Sequence, residues 1–138
     1  MFILDTNVIS DLMSKRPNIN VPRWMNAYEP SLMFITSINI AELRFGAWLV
    51  KETDRRIWLL QSIERIRAGY QSRLVDFDER AGEVYGKLCA ERQHTGRPIE
   101  TKDAMIAAIC LVHGATLATR NVRDFDGLGL KLVNPFEA

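Results

Sequence analysis

Three carboxylates share one kind of address: Asp5 in LDTNVIS follows the first apolar run, Glu42 in SINIAELRFG lies in the helical pattern after the second, and Asp103 in TKDAMIAA sits at the start of the helical pattern leading into TLATR. No histidine, lysine or cysteine suited to act as nucleophile or base accompanies them. Carboxylates gathered without a positive partner raise one another's pKa, so a cluster of this kind calls for a compensating cation. Oxygen-only donors suit Mg2+ or Mn2+ rather than zinc or copper. Such an ion acidifies a water for in-line attack on a phosphodiester, and a second ion, where one binds, stabilises the leaving oxygen. A fourth donor is expected from the loop TRNVRDF, where Asn121 holds the first position and Asp124 comes one turn later; both stay open.

Taken singly, each acid has an ordinary structural explanation. Asp5 and Thr6 are good N-cap types. Asp103 early in a helix is favoured by the helix dipole, and Glu42 fits a solvated helix position. The chemistry therefore rests on whether the elements bring the three together.

Phe2, Ile3 and Leu4 read as a short buried strand, followed by a helix whose apolar stripe is Val8, Ile9, Leu12 and Met13. Asn20 as cap and Pro22 as an early-turn proline open a short helix carrying Val21, Trp24, Met25 and Tyr28, which stops at Pro30. Leu32–Ile35 is a second apolar strand, with Thr36 and Ser37 as cap candidates. In the next helix Ile38, Ala41, Phe45, Trp48 and Leu49 form one face, with Glu42 beside it about one turn in. Thr53 or Asp54 is expected to cap a helix that turns Ile57, Leu60, Ile63 and Ile66 inward and ends at Gly69.

RLVDF predicts a third strand, and Asp78 a cap for a helix that buries Ala81, Val84, Tyr85 and Leu88 and ends at Gly96. Thr101 is expected to cap an alanine-rich helix closed by Gly114, with Asp103 in its first turn. TLATR and LKLVNP then supply a fourth strand and an edge-like fifth. Strands alternating with helices predict right-handed crossovers and an α/β fold, a three-layer α/β/α sandwich around a mainly parallel central sheet. If strands one, two and four are neighbours, Asp5, Glu42 and Asp103 meet at the carboxyl edge of that sheet, where ligands bind in open α/β folds.

The 138 residues predict one domain, residues 1–138, with an ordinary balance of 47% hydrophobic and 25% charged residues. A net charge of +1 excludes binding by bulk positive charge, although a local basic rim remains open. Arg outnumbers Lys, which favours bidentate partners such as phosphate. Cys89 and Cys110 lie in apolar helical patterns without metal-ligand spacing, so free thiols and a cytoplasmic location are expected. No signal peptide or apolar run long enough for a membrane span is read.

Together, LDTNVIS, SINIAEL, TKDAMIAA and ATRN resemble the PIN-domain nucleases, and in particular the VapC-type toxins of bacterial toxin–antitoxin pairs. The order LDTNVIS, AELRFG, FDE, ATRN and a closing NPF is similar to their FitB-like branch, and the resemblance covers nearly the whole chain. It implies a Mg2+- or Mn2+-dependent endoribonuclease that slows growth by cutting RNA and is held inactive by a cognate antitoxin. It also implies a homodimer, and an antitoxin tail in a hydrophobic groove that places a basic side chain among the acids. The family's acidic motif falls on Asp5, Glu42 and Asp103; Thr6, Asn7 and Thr119 match its supporting polar positions. Many relatives carry Asp where this chain has Asn121, which bears on a second metal.

Arg44, Arg97, Lys102, Arg120 and Arg123 lie near the acids in sequence and are candidates for substrate phosphates, with solvated or ion-paired roles as the alternative. Trp24, Met25, Trp48, Trp58 and Leu59 are candidates for core or partner surfaces. His94 and His113, near helix ends, have no catalytic partner. Two rival enzyme classes fit poorly: a dehalogenase-like phosphatase needs a second Asp where Asn7 stands, and no glycine-rich phosphate loop follows strand one. A degenerate PIN domain that binds RNA or protein without cutting is the alternative from a different class.

Overall fold

The computed structural model describes residues 1–138. Its strands are β1 (Phe2–Leu4), β2 (Met33–Thr36), β3 (Leu74–Val75), β4 (Thr116–Ala118) and β5 (Lys131–Val133). The helices are α1 (Thr6–Met13), α2 (Asn20–Asn26), α3 (Ser37–Leu49), α4 (Thr53–Gly69), α5 (Glu79–His94) and α6 (Thr101–His113). The strands form one sheet in the order β3-β2-β1-β4-β5, and all four pairings are parallel. The α/β/α reading holds, and β1, β2 and β4 are central neighbours as the convergence of the acids requires.

Successive strand residues point to opposite faces, and here they divide the core. Ile3 and Leu117 pack with Ala104, Ile106, Ile109 and Phe125 on one side, joined by Ala81 and Leu88 of α5. Leu4, Ala118, Met33 and Ile35 pack on the other side with Val8, Ile9, Val21, Leu43 and Ile63. The alanines of α6 let it lie close to the sheet, and Ala104 and Ile106–Cys110 are all solvent-free. Its C-terminus closes on Gly114, whose φ of 61° is the left-handed value that favours glycine.

Several local expectations are corrected. On α3 the core-facing residues are Asn39, Leu43 and Ala47, while Phe45, Trp48 and Leu49 are 61%, 64% and 64% exposed. Both faces of this helix carry apolar residues, so periodicity alone cannot choose between them. Ile57 is likewise exposed on α4, whereas Ile63 is buried. α4 and α6 are capped one residue earlier than expected, by Glu52 and Glu100, whose carboxylates accept the N–H groups of Asp54 and Arg55, and of Lys102 and Asp103. The longer glutamate side chain spans the same gap that Thr or Asp closes at shorter reach.

Asn20 is a first-turn residue rather than a cap; its amide donates to the Phe136 carbonyl at 2.8 Å and ties the C-terminal segment to α2. α2 ends at Asn26, and the half-exposed Tyr28 beyond it packs on Phe2 and Trp24. Leu32 belongs to a 3-10 turn before β2 rather than to the strand, and β3 keeps only Leu74 and Val75 of RLVDF. Both cysteines are free, and Cys110 is fully buried, which pushes its thiol pKa up. No helix is long and apolar enough to cross a membrane.

Candidate active site

The β1–β4 ladder continues one residue past β1, through a 2.8 Å hydrogen bond from the Asp5 N–H to the Ala118 carbonyl. The register that pairs Leu4 with Ala118 sets Asp5 beside Thr119. Asp5 also caps α1: its Oδ1 accepts the Thr6 N–H at 2.8 Å. Its Oδ2 accepts the Thr119 hydroxyl at 2.7 Å and the Asn7 amide at 3.3 Å. Cap and site are thus one residue, 4% exposed, at the floor of a cavity.

Thr119 is solvent-free, and its hydroxyl oxygen accepts the Asn121 N–H at 3.0 Å while its proton goes to Asp5. Asn7 accepts the Arg120 N–H at 3.3 Å. These bonds fasten the loop after β4 to the start of α1, so one mutually braced unit presents Asp5, Asn7 and Asn121 to the cavity.

Glu42 reaches the same cavity from α3. Its Oε1 accepts the Thr6 hydroxyl at 2.8 Å, and that hydroxyl in turn accepts the Asn39 amide at 2.9 Å. Asp103 arrives from the first turn of α6. All three carboxyls lie above their ordinary pKa. Burial is the main cause for Asp5, against the bonds from Thr119 and Thr6, and the charge of Asp124 adds to it. Burial also dominates at Glu42, opposed by the Thr6 bond and reinforced by Asp5. Asp103 is pushed up to about 7, first by burial and then by the charges of Asp5, Glu100, Glu42 and Asp124.

The cavity measures about 540 Å³ and is lined by Asp5, Glu42, Asp103, Asn7, Asn121 and Arg120 among others, with no hydrophobic side chain. None of the three acids forms an ion pair; the chain's salt bridges are Arg44–Glu64, Arg67–Glu64 and Lys87–Glu91. No three carboxylate, histidine or cysteine side chains close into a ligand cage. The donor set nevertheless fits a hard divalent cation: its carboxylates offer only oxygen, none of them is held in an ion pair although Arg120 lines the cavity and the Lys102 charge reaches Glu42, and an open arrangement suits Mg2+, which keeps several waters and takes one or two carboxylates directly.

The remaining candidates separate by position. Asn121 lines the acid cavity itself, whereas Asp124 is exposed on the 3-10 turn Val122–Phe125 and shares an adjoining hollow with Asp103, Arg97 and Arg123. Arg120 lines the cavity with its guanidinium 3.8 Å from the ring centre of Phe136. Lys102 sits 5.6 Å over Phe45 at the mouth of a neighbouring groove. Arg44 does not line the cavity; it pairs with Glu64 at 3.2 Å, the ordinary fate of a surface arginine.

Sequence reasoning missed Asn39 and Arg92. Asn39 had a legible signal in the Thr36-x-x-Asn39 spacing of a capping box. Arg92 had none: it is buried and donates to the carbonyls of Asp124, Asp126 and Arg97, anchoring the loop that carries Asn121.

A family model described as PIN domain matches residues 2–129. The chain belongs to the PIN-domain family. Among PIN-domain relatives, it is 34% identical to "VapC ribonuclease Y4jK" of Sinorhizobium fredii over 99% of each chain. It is 30% identical to "Toxin FitB" of Neisseria gonorrhoeae, again over 99% of each. The crystal structure of FitAcB from Neisseria gonorrhoeae matches this fold with a TM-score of 0.91 and 29% identity, covering both chains completely. The similarity therefore includes the C-terminal segment beyond residue 129, where Phe136 supports Arg120.

Two further clefts adjoin the PIN core. One, of about 940 Å³, runs between α3 and α4 past Phe45, Trp58 and Leu59 and shares Thr6, Ser10 and Glu42 with the acid cavity. The other, of about 620 Å³, is lined by Leu12, Met25, Trp58, Ile66 and Arg65. Of the five aromatic and apolar interface candidates, Trp24 is core, Met25 and Leu59 are partly buried, and Trp48 and Trp58 are exposed.

Proposed function

We propose that this chain is a metal-dependent endoribonuclease, a single PIN domain that acts in the cytoplasm as the toxin of a toxin–antitoxin pair. Asp5, Glu42 and Asp103 are its catalytic carboxylates and hold Mg2+ or Mn2+. The observation that carries this reading is the acid cluster: three carboxyls from the end of β1, from α3 and from α6, each raised above its ordinary pKa, share one wholly polar cavity, and none is neutralised by an ion pair although Arg120 lines the same wall. The relatives named a VapC ribonuclease and a toxin support the substrate class and the biological role.

When bound, a divalent cation supplies an activated water and charge neutralisation for phosphodiester hydrolysis. The chain's own residues do the rest. The bonds from Thr119, Thr6 and Asn7 favour the ionised form of Asp5 against its burial and fix its orientation, and Thr6 fixes Glu42. Asn121 adds an oxygen donor beside them and Asp124 adds negative charge from the flank. Arg120, braced by Phe136, lines the cavity, and Lys102 stands in the adjoining cleft that shares Glu42; both receive substrate phosphates. Arg97 and Arg123 extend that basic rim on the Asp103 side.

The antitoxin occupies the cleft between α3 and α4, setting apolar side chains against Phe45, Trp58 and Leu59, and brings a basic side chain to the acids through the opening at Glu42. A second copy of the chain completes a homodimer. Expression in a bacterium without the partner tests the reading. The wild type is expected to arrest growth with fragmented RNA, Asp5→Asn is expected to be harmless, and co-expression of the cognate antitoxin is expected to restore growth. Arrest by wild type and Asp5→Asn alike would instead support a domain that binds without cutting.

A further inference from the structure

A buried amide stands behind the site and is not accounted for by the carboxylates. Asn39 is solvent-free in the first turn of α3, and each of its polar functions is committed. Its Oδ1 accepts the Thr36 N–H at 2.7 Å and the Thr36 hydroxyl at 2.9 Å, so its amide orientation is set: the oxygen faces Thr36 and the nitrogen faces away. The Nδ2 then donates to the Thr6 hydroxyl oxygen at 2.9 Å. With a lone pair of that oxygen engaged, the Thr6 proton points to Glu42 Oε1 at 2.8 Å. The backbone N–H of Asn39, donating back to Thr36 Oγ1 at 3.1 Å, locks the head of the chain.

We propose that Asn39 is a positioning residue for the cation site, acting through Thr6 to fix the rotamer of Glu42 and the direction of its free oxygen. The relay runs one way, Thr36 to Asn39 to Thr6 to Glu42. A helix cap alone needs only the Thr36–Asn39 pair; the Asn39 Nδ2 bond to a residue 33 positions earlier adds nothing to the cap. Its consequence is to join α3 to α1, the two helices that carry Glu42 and the Asp5 cap. Glu42 has a flexible side chain on a half-buried helix flank, and holding one oxygen leaves the other directed at the cavity without further loss of rotamer freedom on binding.

The inference rests on the proposed metal site, and a Mn2+ titration of the purified chain, read by calorimetry and by electron paramagnetic resonance, separates the two. Residues that orient metal ligands in this way typically change affinity about 10–100-fold when lost. Asn39→Leu and Thr6→Val are each expected to weaken Mn2+ binding about tenfold, and Thr6→Ser, which keeps the hydroxyl, to stay within about twofold of wild type. Because both residues act along one line, Asn39→Leu combined with Thr6→Val is expected to lose no more than either alone.

Where Asn39→Leu fails to fold, Asn39→Ser takes its place: it retains an acceptor for the Thr36 N–H but is too short to reach Thr6. Folded Asn39 variants that bind Mn2+ like wild type would overturn the proposal and leave the metal site standing. Losses that multiply to about a hundredfold in the double variant would also overturn it, since they would show two independent roles. A wild type that binds no Mn2+ would remove the metal site itself.

Discussion

Asp103→Asn should stabilise the metal-free protein at alkaline pH while destroying the site's use for a cation. The carboxyl of Asp103 is lifted from 3.8 to about 7, chiefly by burial and by Asp5. A shift of that size corresponds to about 4 kcal/mol if fully expressed, at about 1.4 kcal/mol per unit. Asp103 is only partly buried, and solvent screening reduces the figure to about 1–2 kcal/mol. The sign follows from proton linkage. The native state binds the Asp103 proton more tightly than the unfolded chain, so the stabilisation is complete below about pH 4 and is lost as pH rises through about 7.

The amide introduced by Asp103→Asn does not titrate, so in EDTA the variant should gain on wild type steadily between pH 4 and 8. The gain should reach about 3–8 °C in Tm, taking roughly 3–4 °C per kcal/mol for a chain of this size. Excess Mg2+ should invert the order, since a cation bound only by the native state stabilises by about 2.7 kcal/mol at a hundred times its Kd. Thermal denaturation across pH with EDTA or Mg2+ measures both. A variant-to-wild-type difference in EDTA that does not change between pH 5 and 8 would refute the reasoning, as would a wild type that stays the more stable at pH 8.

Thr119→Val removes the 2.7 Å donor to Asp5 and strands the Asn121 N–H, so urea denaturation should show a loss of about 1–3 kcal/mol and Mn2+ binding should weaken. Arg92→Met leaves the carbonyls of Arg97, Asp124 and Asp126 without their buried donor; a loss of about 2–3 kcal/mol is expected, with hydrogen exchange accelerated in residues 120–126. Phe45→Ser with Trp48→Ser touches an exposed face, so stability should stay within about 0.5 kcal/mol, while the cognate antitoxin should no longer co-purify with the chain. Co-purification at the wild-type level would take the partner off that face.

The sheet and its order of helices were legible because FIL and the MFI of MFIT are short apolar runs that pass directly into the cap residues Asp5 and Thr36, a pattern that few arrangements besides parallel strands followed by helices satisfy. The grouping of Asp5, Glu42 and Asp103 was legible through the elements that carry them, Asp5 at the end of the first apolar run, Glu42 in the helix after the second and Asp103 in the first turn of the helix leading into β4. The exposed face of α3 was not, because Phe45, Trp48 and Leu49 are as apolar as the residues it buries. Nor were the glutamate caps, whose longer reach departs from the usual Ser, Thr, Asp and Asn preference. Asn39 and Arg92 act through long-range hydrogen bonds to residues 33 and 32 or more positions away, and no local pattern encodes such partners. Arg44 had sequence proximity to Glu42 but sits on the face of α3 turned to α4 and Glu64.

Cleavage of total cellular RNA by the purified chain, freed of any partner, tests the central claim most directly. Wild type, Asp5→Asn and Asp103→Asn are compared in Mg2+, Mn2+ and EDTA. The acid cluster predicts discrete fragments with wild type in either metal, none in EDTA, and none with either variant. Fragments that persist in EDTA or in folded Asp5→Asn would contradict it, as would RNA left equally intact by a wild type that binds Mn2+.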